Sequence, residues 1–185
     1  MTYLRINLLL ICAFIVVVCG CKTTRTAFNS LPCSYATGWA IQGQAATKGY
    51  RGQAEWFVPA TSGQLLLIEA AIQSYGTKTS KINLFLAEDK NGIPGNLIES
   101  FPEISCSKTN FVLVKSTKKP ELQTGEKYWV CAEPYDETSN SIWFYNSNKL
   151  ANGFAFERST WSWASFDHGP SNGAFRIQIR SSSKR

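Results

Sequence analysis

The residues best suited to acid–base or nucleophilic chemistry are few in this chain of 185 residues. Its single histidine, His168, directly follows Asp167. Neighbours on a strand point to opposite faces, and the following Gly169, Pro170 and Ser171 are typical of a turn, so these two side chains are not predicted to form a catalytic pair. One histidine also argues against histidine-based triads and most zinc sites. No catalytic residue, metal or cofactor is therefore predicted.

The second kind of chemistry that the residue types allow is hydrolysis by paired carboxylates, which must lie about 5–10 Å apart in one cleft. The spacing of the acidic residues selects no two of them. The candidates are Glu55, Glu69, Glu133, Asp136, Glu137 and Glu157. Asp89 and Asn91 lack the further oxygen ligands of a calcium loop and predict a turn instead. A glycosidase-like hydrolase is thus a third alternative, after binding and structural roles.

Aromatic residues give the stronger indication of a function. The chain has 6 Trp, 7 Tyr and 11 Phe. Along residues 141–146, Ile142 and Phe144 share one face of a predicted strand, while Trp143 and Tyr145 share the other. If the first pair points into the core, the second pair forms an aromatic surface in solvent.

A second aromatic pair, Trp161 and Trp163, shares a face across Ser162 in a Ser/Thr-rich loop. Exposed rings stack on sugar rings or on other apolar partners. The predicted ligand-binding residues are therefore Trp143, Tyr145, Trp161 and Trp163. The alternative is that tryptophans fill the two ends of the folded domain and donate their N–H groups to backbone carbonyls.

The N-terminus has the pattern of a secretory leader. Arg5 precedes an uninterrupted apolar run over residues 8–18, which is followed by two cysteines and then by polar residues. A spanning helix needs about 20 apolar residues, so this run is too short for one. Residues 1–20 are predicted to be a signal peptide.

Residues 18–21, Val-Cys-Gly-Cys, resemble the bacterial lipobox. This resemblance implies cleavage behind Gly20 and attachment of a diacylglycerol to Cys21 by a thioether; an ordinary secretory leader is the alternative. Residues 21–48 are rich in Thr, Ala, Ser, Gly and Gln without an apolar period, which predicts a lipidated N-terminus followed by a flexible tether.

Three further cysteines would reach a compartment that permits disulfides. Cys106 and Cys131 lie in or beside adjacent predicted strands and are the favoured pair, with a stabilisation of about 3–4 kcal/mol from chain entropy. Cys33 would then keep its thiol, although its pairing with either of the others stays open. A catalytic thiol is not expected with one histidine in the chain.

Residues 49–185 are predicted to form a single all-β domain, an antiparallel β-sandwich, because short β-branched and aromatic runs alternate there with turn residues. The predicted strands span residues 53–58, 64–74, 81–88, 97–101, 110–115, 127–134, 141–145, 153–157 and 173–181. Period-two alternation places two sets of apolar residues in the interior. These are Ile82, Leu84 and Leu86, and Phe175, Ile177 and Ile179.

The order of these features resembles the choice-of-anchor R domain of secreted and surface-attached bacterial proteins. The resemblance is carried by residues 54–57, 82–98, 122–130 and 174–179, and by Trp143. It implies a jelly-roll-like sandwich whose attachment to the cell varies between members, and it transfers no catalytic residues. The lipobox and the cysteines at 106 and 131 are additions of this chain.

The sequence as a whole predicts a membrane-anchored lipoprotein of the bacterial cell envelope whose sandwich binds a ligand, with glycan as the expected class, and does not catalyse. The alternative is a structural or assembly component that acts through protein contacts. Lys22, rather than an aspartate, follows Cys21 and favours the outer membrane. The net charge is +6, but the basic residues are scattered, so nucleic acid is not an expected partner.

Overall fold

The computed structural model describes residues 23–47, 50–76, 79–147, 154–158, 162–166 and 172–181, which form fourteen strands and one helix of 4 residues. In chain order, the elements are β1 Thr24–Asn29, β2 Cys33–Gln42, α1 Gln44–Thr47, β3 Gly52–Phe57, β4 Gly63–Ala70, β5 Ile72–Ser74, β6 Ser80–Lys90, β7 Ile93–Cys106, β8 Val112–Lys115, β9 Glu121–Leu122, β10 Tyr128–Pro134, β11 Asn140–Asn146, β12 Phe154–Arg158, β13 Ser162–Phe166 and β14 Phe175–Ser181. A helix with the length and apolarity needed to span a bilayer does not occur among these described residues.

The strands pair antiparallel in three sheets. A five-stranded sheet has the order β1-β14-β4-β8, with β9 also paired to β4. A six-stranded sheet has the order β13-β12-β3-β10-β6-β7, and a three-stranded sheet has the order β2-β11-β5. The predicted all-β antiparallel sandwich is confirmed, while the jelly-roll order of its strands stays a prediction.

Residues from all three sheets share one hydrophobic core. The chain leaves the five-stranded sheet at Ala70 and passes through Ala71 into β5 of the three-stranded sheet. Ile68, Ile72 and Leu84, one from each sheet, are fully buried in the same cluster. The six-stranded sheet therefore packs against both smaller sheets.

The predicted alternation of β6 and β14 is confirmed. The residues assigned to the interior are all fully buried, namely Ile82, Leu84, Leu86, Phe175, Ile177 and Ile179. Burial of each Ile or Leu side chain stabilises the fold by about 1.5–3 kcal/mol. A slip of one residue in either strand would turn its whole apolar set into solvent, so this pattern also sets the register.

The predicted turn between the third and fourth predicted strands is a two-residue hairpin between β6 and β7. Asn91 and Gly92 have φ angles of 56° and 82°, and Lys90 pairs with Ile93. Positive φ at both positions is the requirement of the type I′ turn that Asn-Gly favours. The N–H of Gly92 also donates to Asp89 Oδ2 over 3.2 Å. The asparagine and aspartate therefore serve the turn.

The prediction of a flexible tether over residues 21–48 is wrong for the part that the structure describes. β1 pairs with β14, and β2 pairs with β11. Ala27 and Ile41 are buried in the core, and the Phe28 ring stacks on the Phe175 ring with centroids 4.7 Å apart. The folded domain therefore begins well before residue 49. Each of the nine predicted strands overlaps an observed strand, but the one predicted over residues 64–74 is divided into β4 and β5 of two different sheets; β1, β2, β9 and β13 are additional.

Small residues explain why β2 shows no apolar period. A Cβ at Gly38 would lie 2.4 Å from the carbonyl oxygen of Trp143 on the neighbouring strand, so only glycine fits there. Ile41 is the one fully buried large residue of β2. The strand is thus held by close backbone approach and pairing rather than by a row of large apolar side chains.

The two ends of the sandwich can be defined by the strands that begin or end there. At the β1 end, Thr24 pairs with Arg180, and the N–H of Ser181 donates to the Thr23 carbonyl over 3.1 Å. β4 begins at this end, because Gly63 pairs with Ser181. β3 ends and β10 begins there as well, since Thr124, just before β10, bonds to residues of the loop between β3 and β4. β10 then runs about 20 Å to the opposite end, here called the β10 end.

The predicted disulfide between Cys106 and Cys131 is wrong, and these two residues and Cys33 are all thiols. Cys106 pairs with Ser80 and Cys131 pairs with Phe85, at positions of β6 that lie about 17 Å apart along the strand. A disulfide needs Cα atoms within about 7 Å. Burial raises the pKa of Cys106 to about 11, so this thiol stays protonated and unreactive at neutral pH.

Candidate functional site

A pocket of about 260 Å³ opens at the β10 end of the sandwich. It lies between the turn that joins β10 to β11 and the segment that joins β2 to β3. Its lining combines two tyrosines, two carboxylates and small or polar residues: Gly43, Gln44, Tyr50, Pro134, Tyr135, Asp136 and Glu137. The volume suits one or two rings of a small polar ligand.

Backbone contacts hold the two walls of this pocket together. The N–H of Gly43 donates to the Ser139 carbonyl over 2.9 Å, and the N–H of Ala45 donates to the Glu137 carbonyl over 3.0 Å. A Cβ at Gly43 would lie 2.1 Å from the Asp136 carbonyl oxygen, so the walls approach too closely for any other residue. The pocket is therefore preformed by main-chain geometry.

The carboxylate of Asp136 organises the turn that carries it. Its Oδ1 accepts hydrogen bonds from Thr138 N and Thr138 Oγ1, both at 2.9 Å, and from Ser139 Oγ at 3.0 Å. The bond from the Thr138 side chain is the largest cause that lowers the pKa of Asp136. The pocket thus contains a carboxylate that is ionised at neutral pH.

Tyr135 presents its ring rather than its hydroxyl group. The hydroxyl donates to Glu103 Oε1 over 2.7 Å, and this bond is the main cause that raises the pKa of Tyr135. Lys81 Nζ lies 5.2 Å from the ring centroid and 3.6 Å from Glu103 Oε2. The Tyr135 side chain is 38% exposed. Its ring, which these contacts fix in position, is therefore available to a ligand beside the pocket carboxylates.

The prediction that Trp143 lies in solvent is wrong. Its side chain is 1% exposed, and its Nε1 donates to the Ala174 carbonyl over 3.0 Å. The predicted alternation is correct, but the interior is on the tryptophan side of β11. The other face is covered as well, because Phe144 packs with Phe111 and Leu31. The alternative that tryptophans fill the domain and bond to backbone carbonyls holds for this residue.

The remaining predicted aromatic residues do not form one surface with Trp143. Tyr145 is half-buried, with its ring 5.8 Å from that of Trp39. Trp163 is half-buried on the outer face of the six-stranded sheet, with its ring 6.3 Å from that of Phe85. Trp161 lies outside the described residues. The structure therefore separates Trp143 and Trp163 onto opposite faces of the six-stranded sheet.

Glu55 is a buried carboxyl group in the interior. Its Oε1 accepts a hydrogen bond from the N–H of Gly173 over 2.7 Å, and its Oε2 has no partner among the described residues. Burial raises the pKa of Glu55 well above its ordinary value. Burial, and then the Glu55 carboxyl, also raise the pKa of the Tyr145 phenol. Burial thus favours the neutral form of the Glu55 carboxyl, which lies in the core, away from the pocket.

Of the six acidic candidates for hydrolysis, only Asp136 and Glu137 line the pocket together. Glu69 instead forms an ion pair with Arg176 on the five-stranded sheet. The carboxyl with a strongly raised pKa, Glu55, is in the core, so the described residues do not bring a protonated acid and an ionised base into one cleft. They also contain no cluster of three or more His, Cys, Asp or Glu residues that could hold a metal ion.

Sequence reasoning missed the pocket tyrosines. Neither Tyr50 nor Tyr135 has a second aromatic residue two positions away, whereas the predicted tryptophans do. The available signal was the polar turn over residues 134–140, which interrupts two strongly apolar strands. In comparisons with known proteins, no family model matches this chain and no curated protein matches it.

Proposed function

We propose that this protein is a lipid-anchored, non-catalytic binding domain of the bacterial cell envelope that recognises glycan in the pocket at the β10 end. The observation that carries the proposal is the joint presence of Tyr50, Tyr135, Asp136 and Glu137 around one preformed pocket. This arrangement replaces the tryptophan surface expected from the sequence.

The chemistry of the pocket suits a sugar ring. Tyrosine rings pack against the C–H faces of a pyranose, and carboxylate oxygens accept hydrogen bonds from its hydroxyl groups. The ionised Asp136 supplies a carboxylate acceptor, and the ring of Tyr135, which its hydrogen bond to Glu103 fixes in position, supplies a packing surface. Because the turn and the backbone contacts fix both groups before a ligand arrives, binding costs little ordering of the protein.

The anchor in this proposal is a diacylglycerol on Cys21, placed there by the lipobox pattern of residues 18–21. Two or more acyl chains give stable attachment, whereas one chain binds only marginally. Attachment raises the effective concentration of the pocket at one membrane face without any added contact. The resemblance to the choice-of-anchor R domain and the outer-membrane location belong to this proposal.

Glycan binding is tested by removing the pocket rings. Tyr50→Ala and Tyr135→Ala are each expected to weaken binding of the full chain to purified peptidoglycan or insoluble chitin by about three- to tenfold, because each removes one stacking surface. Co-sedimentation at several protein concentrations measures the change in affinity.

Tyr75→Ala is the matched control, since Tyr75 is 60% exposed and does not line the pocket. Equal binding by all three variants would reject the pocket as the site. Absence of binding by the unsubstituted chain to both polysaccharides would reject glycan recognition and favour the structural or assembly role.

The anchor is tested by labelling cells with radioactive palmitate. Incorporation into the full chain is expected, and Cys21→Ser should abolish it because the acceptor sulfur is lost. Cys33→Ser is the matched control, since Cys33 is a thiol outside the lipobox pattern. Label that persists in Cys21→Ser, or is absent from the unsubstituted chain, would contradict lipid attachment at this residue.

A further inference from the structure

We infer that Glu103 is a positioning residue for ligand binding: a β-bulge of β7, held by Asn83, directs its carboxylate onto the Tyr135 hydroxyl and so fixes the ring on which the ligand packs. The inference rests on the proposed function, because it concerns a ring of the same pocket. Neither Glu103 nor Asn83 lines that pocket, so both act on the ligand through Tyr135.

The pairing of β6 with β7 is interrupted near the β10 end. One residue of β6, Asn83, is opposite two residues of β7, Pro102 and Glu103. The pairs on either side are Leu84 with Phe101 and Ile82 with Ile104. A bulge of this kind leaves the extra residue out of the ladder and changes the direction of its side chain.

Glu103 has an unusual backbone conformation for its residue type. Its φ angle is 55°, in the left-handed region that glycine adopts without strain. Among the described residues, the other non-glycine residues in this region are Asn91 and Lys119, and both lie between strands rather than within one. The N–H of Glu103 donates to Asn83 Oδ1 over 3.2 Å, which holds the bulge in place. Because glycine would fit this position more easily, the presence of a side chain there points to a use for that side chain.

The Glu103 carboxylate reaches across β6 to the pocket. Two strand spacings, about 10 Å, separate β7 from β10, and Tyr135 directly follows the last residue of β10. Glu103 Oε1 accepts a hydrogen bond from the Tyr135 hydroxyl over 2.7 Å. Glu103 Oε2 lies 3.6 Å from Lys81 Nζ, which in turn lies 5.2 Å from the centroid of the Tyr135 ring. Side chains from β6 and β7 therefore fix the position of this ring.

Fixing the ring matters because an exposed side chain must be ordered when a ligand packs on it. A tyrosine ring that can rotate loses this freedom on binding, which lowers affinity by about two- to tenfold. Glu103 restricts the ring in the folded protein, before a ligand arrives. The Glu103 side chain is 55% exposed, so water weakens its contacts and the lower part of this range is expected.

The test compares Glu103→Ala with Tyr135→Phe in co-sedimentation of the full chain with purified peptidoglycan and with insoluble chitin. Each variant removes one side of the same hydrogen bond and keeps the ring. Each should weaken binding by about two- to fivefold, less than Tyr135→Ala. The double variant should bind no more weakly than either single variant, because the two groups act through one contact. Glu103→Gln should restore part of the affinity, since an amide oxygen can still accept a hydrogen bond from the hydroxyl.

Two further measurements separate positioning from a general effect on the fold. Asn83→Ala should weaken binding by about twofold, because the bulge loses the acceptor that holds it. The pKa of the Tyr135 phenol, followed by NMR of labelled tyrosine, should fall in Glu103→Ala, because the hydrogen bond to Glu103 is the main cause that raises it.

Glu88→Ala is the matched control. Glu88 is also an exposed carboxylate of the six-stranded sheet, and its Oε2 accepts a hydrogen bond from Asn96 Nδ2 of β7 over 3.1 Å. It lies at the β1 end, where it pairs with Tyr128, so its removal should leave binding unchanged. An equal loss in Glu88→Ala and Glu103→Ala would overturn the inference.

The remaining outcomes distinguish this inference from the proposed function. Unchanged binding by Glu103→Ala, while Tyr135→Ala still weakens binding, would overturn the inference and leave the glycan pocket standing. Losses for Glu103→Ala and Tyr135→Phe that multiply in the double variant would do the same, because the two groups would then act separately. If the unsubstituted chain binds neither polysaccharide, the proposed function and this inference fail together.

Discussion

Trp143→Ala is expected to lower the free energy of unfolding by about 3–5 kcal/mol, a large fraction of the stability of a typical domain. The indole is 1% exposed, its ring centroid lies 6.1 Å from that of Phe175, and its N–H has a backbone partner at Ala174. Gly173 packs directly against the indole, because a Cβ there would lie 2.7 Å from it, and a glycine has no side chain that could fill the space left by the ring. Urea unfolding followed by circular dichroism measures the loss.

Trp163→Ala is the matched control for this experiment, because the same side chain is removed from a half-buried position on the outer face of the six-stranded sheet. Its loss should be clearly smaller. An unchanged urea midpoint for Trp143→Ala, combined with a loss of glycan binding, would mean that the indole is exposed and contacts the ligand.

Glu99→Gln and Glu55→Gln are expected to change stability with opposite dependence on pH. Burial alone would raise the pKa of Glu99, but hydrogen bonds from Lys118 N, Ser116 and Thr117 outweigh it, and the net pKa is lowered. This carboxylate thus contributes stability above its unfolded pKa of about 4.3, and the contribution is lost as pH falls through the folded value. Glu99→Gln should therefore cost about 2–3 kcal/mol at pH 7 and progressively less toward pH 3.

Glu55 has the reverse sign, because burial raises its folded pKa. Its contribution is complete below the unfolded pKa of about 4.3 and is lost as pH rises toward the folded value, by at most about 1.4 kcal/mol per pH unit. Glu55→Gln should match the unsubstituted chain near pH 4 and become the more stable of the two at higher pH.

Urea midpoints from pH 3 to pH 8 measure both carboxyl effects, with Glu126→Gln as an exposed control in the same assay. Parallel curves for Glu55→Gln and the unsubstituted chain would show that Glu55 is ionised or hydrated in the fold. A loss for Glu99→Gln that stays constant down to pH 3 would show that its hydrogen bonds do not require the charge.

Large apolar side chains at period two made much of the fold predictable. The interior sets of β6 and β14 follow from alternation alone, and Asn91-Gly92 marks its hairpin because few other pairs tolerate positive φ at both positions. These signals are local, so they can be recognised without knowing which strands pair.

Features that depend on neighbouring strands could not be predicted in the same way. The alternation of β11 separates Trp143 from Phe144 correctly, but only the packing of Phe111 and Leu31 on one side shows that both faces are covered. β2 shows no apolar period that would mark its full length, and its Gly38 is required by a carbonyl oxygen on the paired strand, which the sequence does not show. The pocket joins residues near 43–50 to residues 134–137, and their proximity follows from sheet pairing rather than from any spacing in the sequence.

The position of β14 has a consequence for the kinetics of folding. This strand lies between β1 and β4, so the two earlier strands are joined only through a strand that the ribosome delivers much later. Among the described strands, β1 pairs with β14 alone, and closing so long a loop is entropically slow. During synthesis the strand pairing of β1 therefore waits until residues 175–181 arrive, long after β1 itself has been made.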